Sequence, residues 1–116
     1  MATITATHAQ VSGQVQMITW AALTNTTSDV GEAVELPYGN KLTVHVIGTF
    51  GTGGNLRFQG SNDGTNWAHV NDVTGTALNF TGAAIDSSTD KPRYVRPAIT
   101  AGDGTTSLTC ILCVSR

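Results

Sequence analysis

The sequence predicts an all-β fold: a β-sandwich or jelly-roll-like antiparallel domain with an extended N-terminal arm. The first observation is composition, since 19 of the 116 residues are Thr and 13 are Gly. Thr favours strands, and Gly suits tight turns. The second is a period of two over residues 41–50, which places Leu42, Val44, Val46 and Phe50 on one face. The third is a series of short strand-like segments separated by turn residues at regular spacing, which is typical of sandwiches and small barrels.

The N-terminal residues differ from the rest of the chain. No Asp, Glu, Lys or Arg precedes Asp29. We expect residues 1–13 to form an arm and residues 14–116 to form one sandwich domain, because domains typically run about 100–150 residues. An uncharged, β-prone arm suits the addition of a strand to another subunit. A frayed terminus explains the same composition equally well.

The first half of the domain carries its clearest strand at residues 41–50. Strands near 14–20 and 33–36 precede it, and the glycine-rich hairpin loop 51–55 is expected to join it to a partner strand at 56–60. The period of two predicts one buried face, formed by Leu42, Val44, Val46, Phe50, Leu56 and Phe58.

The second half begins with a Ser-Asn-Asp-Gly-Thr-Asn-Trp turn at residues 61–67, where Asp-Gly favours a hairpin. Trp67 is expected to cover one end of the core. Short strands follow at 67–70, 77–80 and 83–86. Pro97 interrupts the strand 93–99 and predicts an edge strand or a bulge, because proline has no N–H to donate. The last strand, 106–115, places alternate residues on one buried face: Leu108, Cys110, Leu112 and Val114.

Cys110 and Cys113 are predicted to be free structural thiols. Residues three apart in a strand point to opposite faces, with Cα atoms about 10 Å apart. A disulfide needs less than about 7 Å, and a zinc site needs further soft ligands that the chain does not supply.

No catalytic or cofactor-binding constellation is evident, so we expect no enzyme, no metal site and no cofactor. The formal net charge of −2 argues against binding nucleic acid through phosphate neutralisation. No nucleophile motif and no dinucleotide fingerprint is present. Asp63 and Asp103 each lie in an Asp-Gly turn, and one carboxylate per loop favours a turn over a calcium site.

Arg93 and Arg96 flank Tyr94, with Lys91 nearby. This basic cluster could meet an acidic partner surface. It could also pair within the chain with Asp86 and Asp90.

Four motifs together carry a resemblance to a known class of proteins. They are Gly-Thr-Phe-Gly-Thr-Gly-Gly at 48–54, the turn motif at 61–67, Pro-Arg-Tyr-Val-Arg-Pro at 92–97 and Gly-Asp-Gly-Thr-Thr-Ser at 102–107. Over roughly residues 30–115 the chain resembles small structural proteins of tailed bacteriophages, in particular capsid decoration (cement) proteins. The turn motif alone also occurs in other β-sandwich modules, including carbohydrate-binding ones.

The resemblance implies a non-enzymatic protein on the capsid exterior of the virion, assembled in the host cytoplasm. Its partner would be the major capsid protein, and it would form a homo-oligomer, with a trimer favoured over a dimer and with no membrane partner. We expect the partner and oligomer contacts to involve Ile4, Val11, Val15, Trp20, Arg93 and Arg96. The alternative is a glycan- or receptor-binding module of a phage tail or appendage, in which exposed Trp20, Trp67 or Tyr94 would stack on sugar rings.

Overall fold

The computed structural model describes residues 2–11, 15–26, 29–36 and 41–115. These residues form strands and turns without a helix, and none of them belongs to a helix that could cross a membrane. The strands are β1 (Thr3–Ile4), β2 (Ala6–Gln10), β3 (Val15–Thr24), β4 (Val30–Gly31), β5 (Val34–Glu35), β6 (Lys41–Thr49), β7 (Asn55–Ser61), β8 (Ala68–His69), β9 (Asn79–Phe80), β10 (Ala84–Ser88), β11 (Tyr94–Ala101) and β12 (Ser107–Ser115).

Two sheets pack face to face, which confirms the predicted all-β sandwich. One sheet has seven strands in the order β1-β4-β11-β7-β8, with β5 beside β11 and β9 beside β7. The other has five strands in the order β10-β6-β12-β3-β2. All described pairs are antiparallel except β1 with β4, which is parallel.

The core lies between the sheets and follows the predicted alternation. Leu42, Val44 and Val46 of β6 are buried, and so are the four alternate residues predicted for β12. Leu56 and Phe58 of β7 close the core from the other sheet. Phe50 is half-buried and packs against the same cluster. The inward faces of β6, β7 and β12 are therefore confirmed. The predicted hairpin between β6 and β7 is wrong, because the two strands lie in different sheets and residues 51–55 connect the sheets.

Trp20 and Phe58 occupy the centre of this core. Both are fully buried, and their rings meet edge to face at 6.3 Å between centroids and 72° between planes. The indole Nε1 of Trp20 donates a hydrogen bond to the carbonyl of Glu32 at 3.0 Å. That bond satisfies the one polar atom of the buried ring, as buried indoles require.

The N-terminal stretch pairs with both sheets of its own chain. β1 pairs with β4 of the seven-stranded sheet, and β2 pairs with β3 at the edge of the five-stranded sheet. Glu32 fastens the crossing, because its N–H donates to the carbonyl of Ile4 at 2.7 Å and its carboxylate accepts from the N–H of Ala6 at 2.9 Å. The expected boundary between residues 13 and 14 lies outside the described residues, so the division into arm and domain stays a prediction.

Pro97 corrects one expectation. Its strand β11 is central and pairs with β7 on one side and with β4 and β5 on the other. The register places residue 97 between the residues that pair with β4 and with β5, so the missing N–H falls where the neighbouring strand is interrupted. The proline ring packs against Gly31, where an added Cβ would lie 2.5 Å from Pro97 Cδ. An interior proline is tolerated here because no ladder bond is lost.

A β-bulge in β3 was not expected from the sequence. Leu108 pairs with Leu23 and Cys110 with Trp20, so β3 has one residue more than β12 over this interval. Ala22 takes a positive φ of 61°. The bulge changes the phase of the strand, so that both Trp20 and Leu23 point into the core.

Candidate binding faces

The outer side of the seven-stranded sheet carries three of the four arginines of the chain. On β7 the outward residues Arg57 and Gln59 alternate with buried Leu56 and Phe58. The register places Gln59 beside Arg96 of β11 and beside His69 of β8. We call this surface the arginine face and define it by Arg57, Gln59, Trp67, His69, Arg93, Tyr94 and Arg96.

Arg96 lies at the centre of the arginine face and is held from two sides. Its guanidinium carbon is 4.1 Å from the centroid of the Trp67 ring. Its Nε donates a hydrogen bond to Gln59 Oε1 at 2.9 Å. Partial desolvation lowers the pKa of Arg96 from its ordinary value, although an arginine stays charged at any physiological pH. The planar group is therefore charged and already oriented.

Arg57 lies on the same face, and its polar atoms are only partly satisfied. Its Nη1 is 3.3 Å from His69 Nε2. Its Nε is buried and has no hydrogen-bond partner among the described residues. A buried donor without a partner is uncommon and costly.

Among the described residues of this face, Arg93 forms the one ion pair. Its Nε is 3.3 Å from Glu35 Oε2, and its guanidinium carbon is 5.0 Å from the centroid of the Tyr94 ring. Both side chains of the ion pair are more than 60% exposed, so the pair contributes little to stability. The expected pairing with Asp86 and Asp90 is wrong. Those carboxylates instead accept backbone N–H groups, from Ser87 and Asn71 respectively.

The Asp-Gly turn at residues 61–67 positions the aromatic rings of the face. The Asp63 carboxylate accepts hydrogen bonds from the N–H groups of Asn66 and Thr65 and from the Ser61 hydroxyl, at 2.8–2.9 Å. These bonds, with Asn66 contributing most, hold the pKa of Asp63 well below its usual range. Gly64 has a φ of 79° and lies close to the Tyr94 ring, where an added Cβ would be 3.5 Å away. The turn therefore folds over Tyr94 and delivers Trp67 onto Arg96.

Trp67 does not cover an end of the core as predicted. It is half-buried on the outside of the sheet, against Arg96. An open cleft of about 490 Å³ lies beside the 61–67 turn, with polar lining groups from Ser61, Asn62, Asn66, His69, Asp90 and Lys91, and Trp67 does not line it.

The outer side of the five-stranded sheet has a different chemistry. Strand pairing aligns Ile85, His45, Ile111, Thr19 and Thr7 in one row across all five strands. The next row is Ser87, Thr43, Cys113, Met17 and Ala9. We call this surface the threonine face and define it by these two rows together with Ile47 and Thr109. Lys41, at one end of β6, is a charged residue that lies beside this face.

Ile85 and Ile47 are the most exposed large apolar residues of the threonine face, with 62% and 39% of their surface accessible. Cys113 belongs to this face, while Cys110 of the same strand is fully buried on the inner side. Both thiols are free, as predicted. Burial raises the pKa of the Cys110 thiol far above its ordinary value.

The predicted contact residues do not form one surface. Ile4 packs partly against the core, Val11 is exposed beyond the end of β2, and Val15 lies at the end of β3 on the side of the threonine face. Arg93 and Arg96 belong to the arginine face. Trp20 is fully buried, so it is removed from both the partner contact and the sugar-stacking hypotheses.

Sequence reasoning missed Arg57, Gln59 and His69 as members of a common surface. The sequence pattern does place Arg57 and Gln59 on the outer side of the strand 56–60, because each follows a residue predicted to point inward. Their meeting with Arg96 and Trp67 depends on which strands are neighbours, and the alternation does not contain that information.

The acidic residues of the described turns serve the backbone. Asp103 accepts from the Thr105 hydroxyl at 2.6 Å and from the N–H groups of Thr105 and Thr52 at 2.8 Å, and these bonds lower its pKa well below the usual range. The prediction that Asp63 and Asp103 act as turn residues is confirmed. Across residues 2–11, 15–26, 29–36 and 41–115, no group of three or more His, Cys, Asp or Glu side chains could hold a metal ion.

Comparison with known proteins yields a fold likeness. No family model and no curated protein sequence matches the chain. The crystal structure of YomS, a protein derived from the SPBc2 prophage, superposes with a TM-score of 0.67 at 14% identity, covering 93% of this chain and 100% of YomS. The crystal structure of PliG from Aeromonas hydrophila, a periplasmic inhibitor of g-type lysozyme, reaches a TM-score of 0.40 at 14% identity, covering 98% and 95% of the two chains. The first likeness shows a common fold, and the second is too distant to support any argument.

Proposed function

We propose that this protein is a bacteriophage virion protein that decorates and stabilises the capsid by bridging its subunits. The motif resemblance of residues 30–115 supports this role. The fold likeness to a prophage-derived protein over nearly the whole chain supports a phage origin. In this role the partner is the major capsid protein, the location is the outside of the shell, and no chemical step is catalysed.

The observation that carries the proposal is the presence of two broad outer faces of different chemistry. A bridging protein needs more than one contact surface. The arginine face presents Trp, Tyr and Arg, the residue types enriched at the energetic centres of protein interfaces. The threonine face presents polar hydroxyls and exposed isoleucines almost without charge.

We propose that the threonine face contacts a second copy of this chain. Two like faces meet in a symmetric contact, and a face without charge brings no like charges together. Strands about 4.8 Å apart, three with nine or ten residues and two with five, at about 3.4 Å per residue give a face of about 620 Å². That area is about three quarters of the roughly 800 Å² per partner of a standard interface. A symmetric contact between two like faces gives a dimer, so this contact departs from the trimer that the motif resemblance favours, and the oligomeric state stays a prediction.

Co-sedimentation with bare shells of the phage that encodes the protein tests the decoration role. We expect saturable binding at a fixed ratio to the major capsid protein, stronger on expanded than on unexpanded shells. Absence of binding to either form would exclude the decoration role.

Sedimentation velocity tests the threonine face. The variant Ile85→Lys places a charge at a position that is 62% exposed. It should dissociate the oligomer, whereas Val73→Lys, at a turn residue that is 63% exposed, should not. Equal behaviour of the two variants would assign the copy-to-copy contact to another surface.

The second candidate is glycan binding. The open cleft at the 61–67 turn favours it, because amide, hydroxyl and imidazole groups line that space. Against it, Arg96 already stacks on the Trp67 ring. A saturable shift of tryptophan fluorescence on titration with a glycan panel would favour this candidate over decoration.

A further inference from the structure

We infer that the arginine face docks onto a carboxylate-rich protein surface, and that Arg57 and Arg96 supply the charges that meet the partner's carboxylates. The inference rests on the proposed function, since it names the face and the chemistry of the shell contact. The partner is identified by charge complementarity alone.

Two arginines of the face lack a described acidic partner although the chain is acidic overall. The chain has eight acidic residues against six Lys and Arg, so intramolecular partners for arginine are in excess. Among the described residues, however, Arg93 and Glu35 form the only ion pair within 4 Å. Arg57 and Arg96 have no described carboxylate partner. The face therefore carries a net charge of about +2 on a protein whose formal net charge is −2.

The nearest carboxylates in the sequence pattern are already occupied. Asp63 lies in the turn beside Tyr94, but its oxygens accept four hydrogen bonds from Ser61, Thr65 and Asn66. Asp90 accepts the N–H of Asn71. Neither carboxylate forms a described ion pair within 4 Å with Arg57 or Arg96.

Arg96 is preorganised for binding. Trp67 and Gln59 hold Arg96 through its ring face and its Nε, and no described residue accepts a hydrogen bond from its two Nη atoms. A guanidinium with a free fork binds a carboxylate through two parallel hydrogen bonds. Because the side chain is already ordered, less conformational entropy is lost on binding.

The charge of Arg57 is unpaired among the described residues. Arg57 Nε is buried without a partner among the described residues, and Arg57 Nη1 lies 3.3 Å from His69 Nε2. Because Nε is buried, a partner's carboxylate would meet this guanidinium at its Nη atoms, for which the described residues provide no charged partner. The two guanidiniums lie on adjacent strands, Arg57 on β7 and Arg96 on β11, so one acidic surface can reach both.

The test has two arms on the full-length protein. In the first, ¹⁵N-labelled protein is titrated with poly-L-glutamate. We expect amide and indole shifts at Trp67, Tyr94, Arg96 and Arg57, and none on the threonine face. In the second, wild type, Arg57→Glu and Arg96→Glu are co-sedimented with shells of the encoding phage. Each variant should weaken binding at least tenfold, with binding of the wild type falling as salt rises.

Lys41→Glu is the matched control, because it makes the same change of charge beside the other face. It should alter shell binding less than twofold. Arg96→Lys keeps the charge but loses the planar fork, and it guards against a folding defect in Arg96→Glu. It should bind between wild type and Arg96→Glu.

The outcomes separate the two proposals. Wild-type binding to shells with undiminished binding of both arginine variants overturns the inference and leaves the decoration role intact. Shifts at the arginine face with poly-L-glutamate, but no shell binding by wild type, overturn the decoration role and leave the chemistry of the face intact. Stronger shifts with a DNA duplex than with poly-L-glutamate at equal salt overturn the assignment to a protein surface.

Discussion

The two outer faces of the sandwich are built on the same architecture and differ in almost everything else. The threonine face lies on long, regular strands: β3 has ten residues, and β6 and β12 have nine each. The arginine face lies on β7 and β11, flanked by strands of only two residues such as β5 and β8, and the turn at 61–67 folds over it.

The sheet with long, regular strands is nearly uncharged on its outer side, whereas the sheet with short, irregular strands is charged on its outer side. Long alternating strands present rows of small uncharged side chains, which can accept another flat surface. On the irregular sheet, turns and strand ends bring together groups that are distant in sequence, such as Glu35 with Arg93 and Trp67 with Arg96. The irregular sheet therefore gains a local charge pattern and aromatic anchors, which give specificity to a contact.

The largest expected effect compares the two tryptophans. Trp20→Ala should destabilise the fold by about 3–5 kcal/mol, because it leaves a cavity in the core beneath both faces. Trp67→Ala should cost less than about 1.5 kcal/mol, because it removes a half-buried cation–π contact. Urea unfolding measures both. A similar loss of unfolding free energy in the two variants would mean that Trp67 is a core residue and does not belong to an outer face.

The second expected effect compares the two cysteines of β12, which point to opposite sides of one strand. Cys110→Ser should destabilise by about 1–3 kcal/mol, because it buries a hydroxyl without a partner. Cys113→Ser should stay within about 0.5 kcal/mol of wild type. In the folded Ile85→Lys variant, which is expected to expose the threonine face, a thiol reagent should modify Cys113 alone, since burial raises the pKa of Cys110 and blocks access to it. Modification of both thiols at equal rates would place Cys110 on the surface.

The smallest expected effect is a dependence on acid that is specific to the arginine face. Hydrogen bonds from Asn66 and Thr65 hold the pKa of Asp63 below its ordinary value of 3.8. A group whose pKa is depressed in the folded state stabilises above its unfolded pKa and loses that contribution as pH falls through the folded value. This contribution to stability should therefore fall progressively below about pH 4, and the turn over Tyr94 should loosen at the acid end of this range.

NMR titration between pH 6 and pH 2 follows this change at Trp67 and Tyr94. Asp63→Ala should produce the same shifts at pH 6. Asp103→Ala serves as the matched control, because Asp103 holds the other turn, against Thr52. If acid shifts the threonine face as strongly as the arginine face, the loss is global and the turn is not its origin.

The sandwich could be predicted largely because its longest strands show a period of two in the sequence. In β6 the apolar residues Leu42, Val44 and Val46 recur at every second position, and in β12 Leu108, Cys110, Leu112 and Val114 do the same. A period of two indicates a strand with one buried face. The Asp-Gly turns were equally readable, since a short acidic side chain followed by glycine stabilises a local turn without help from the rest of the chain.

The candidate faces were only partly predictable. Arg93 and Arg96 stood out as a cluster because they are close in sequence. Trp20 did not reveal its buried position, because the bulge at Ala22 that keeps both Trp20 and Leu23 inward depends on pairing with β12. Pro97 predicted an edge, whereas the gap between β4 and β5 made a central position possible.

Local pattern and composition alone thus determined the all-β class, the inward residues of the long strands, the free thiols and the acidic turns. Tertiary structure alone decided the order of the strands, the docking of the N-terminal residues onto their own sheets and the assembly of Arg57, Arg96 and Trp67 on one face. The physical reason is range. Alternation and turn chemistry act within a few residues, whereas strand neighbours are chosen by the burial of a shared core, and that choice sets which outward side chains meet.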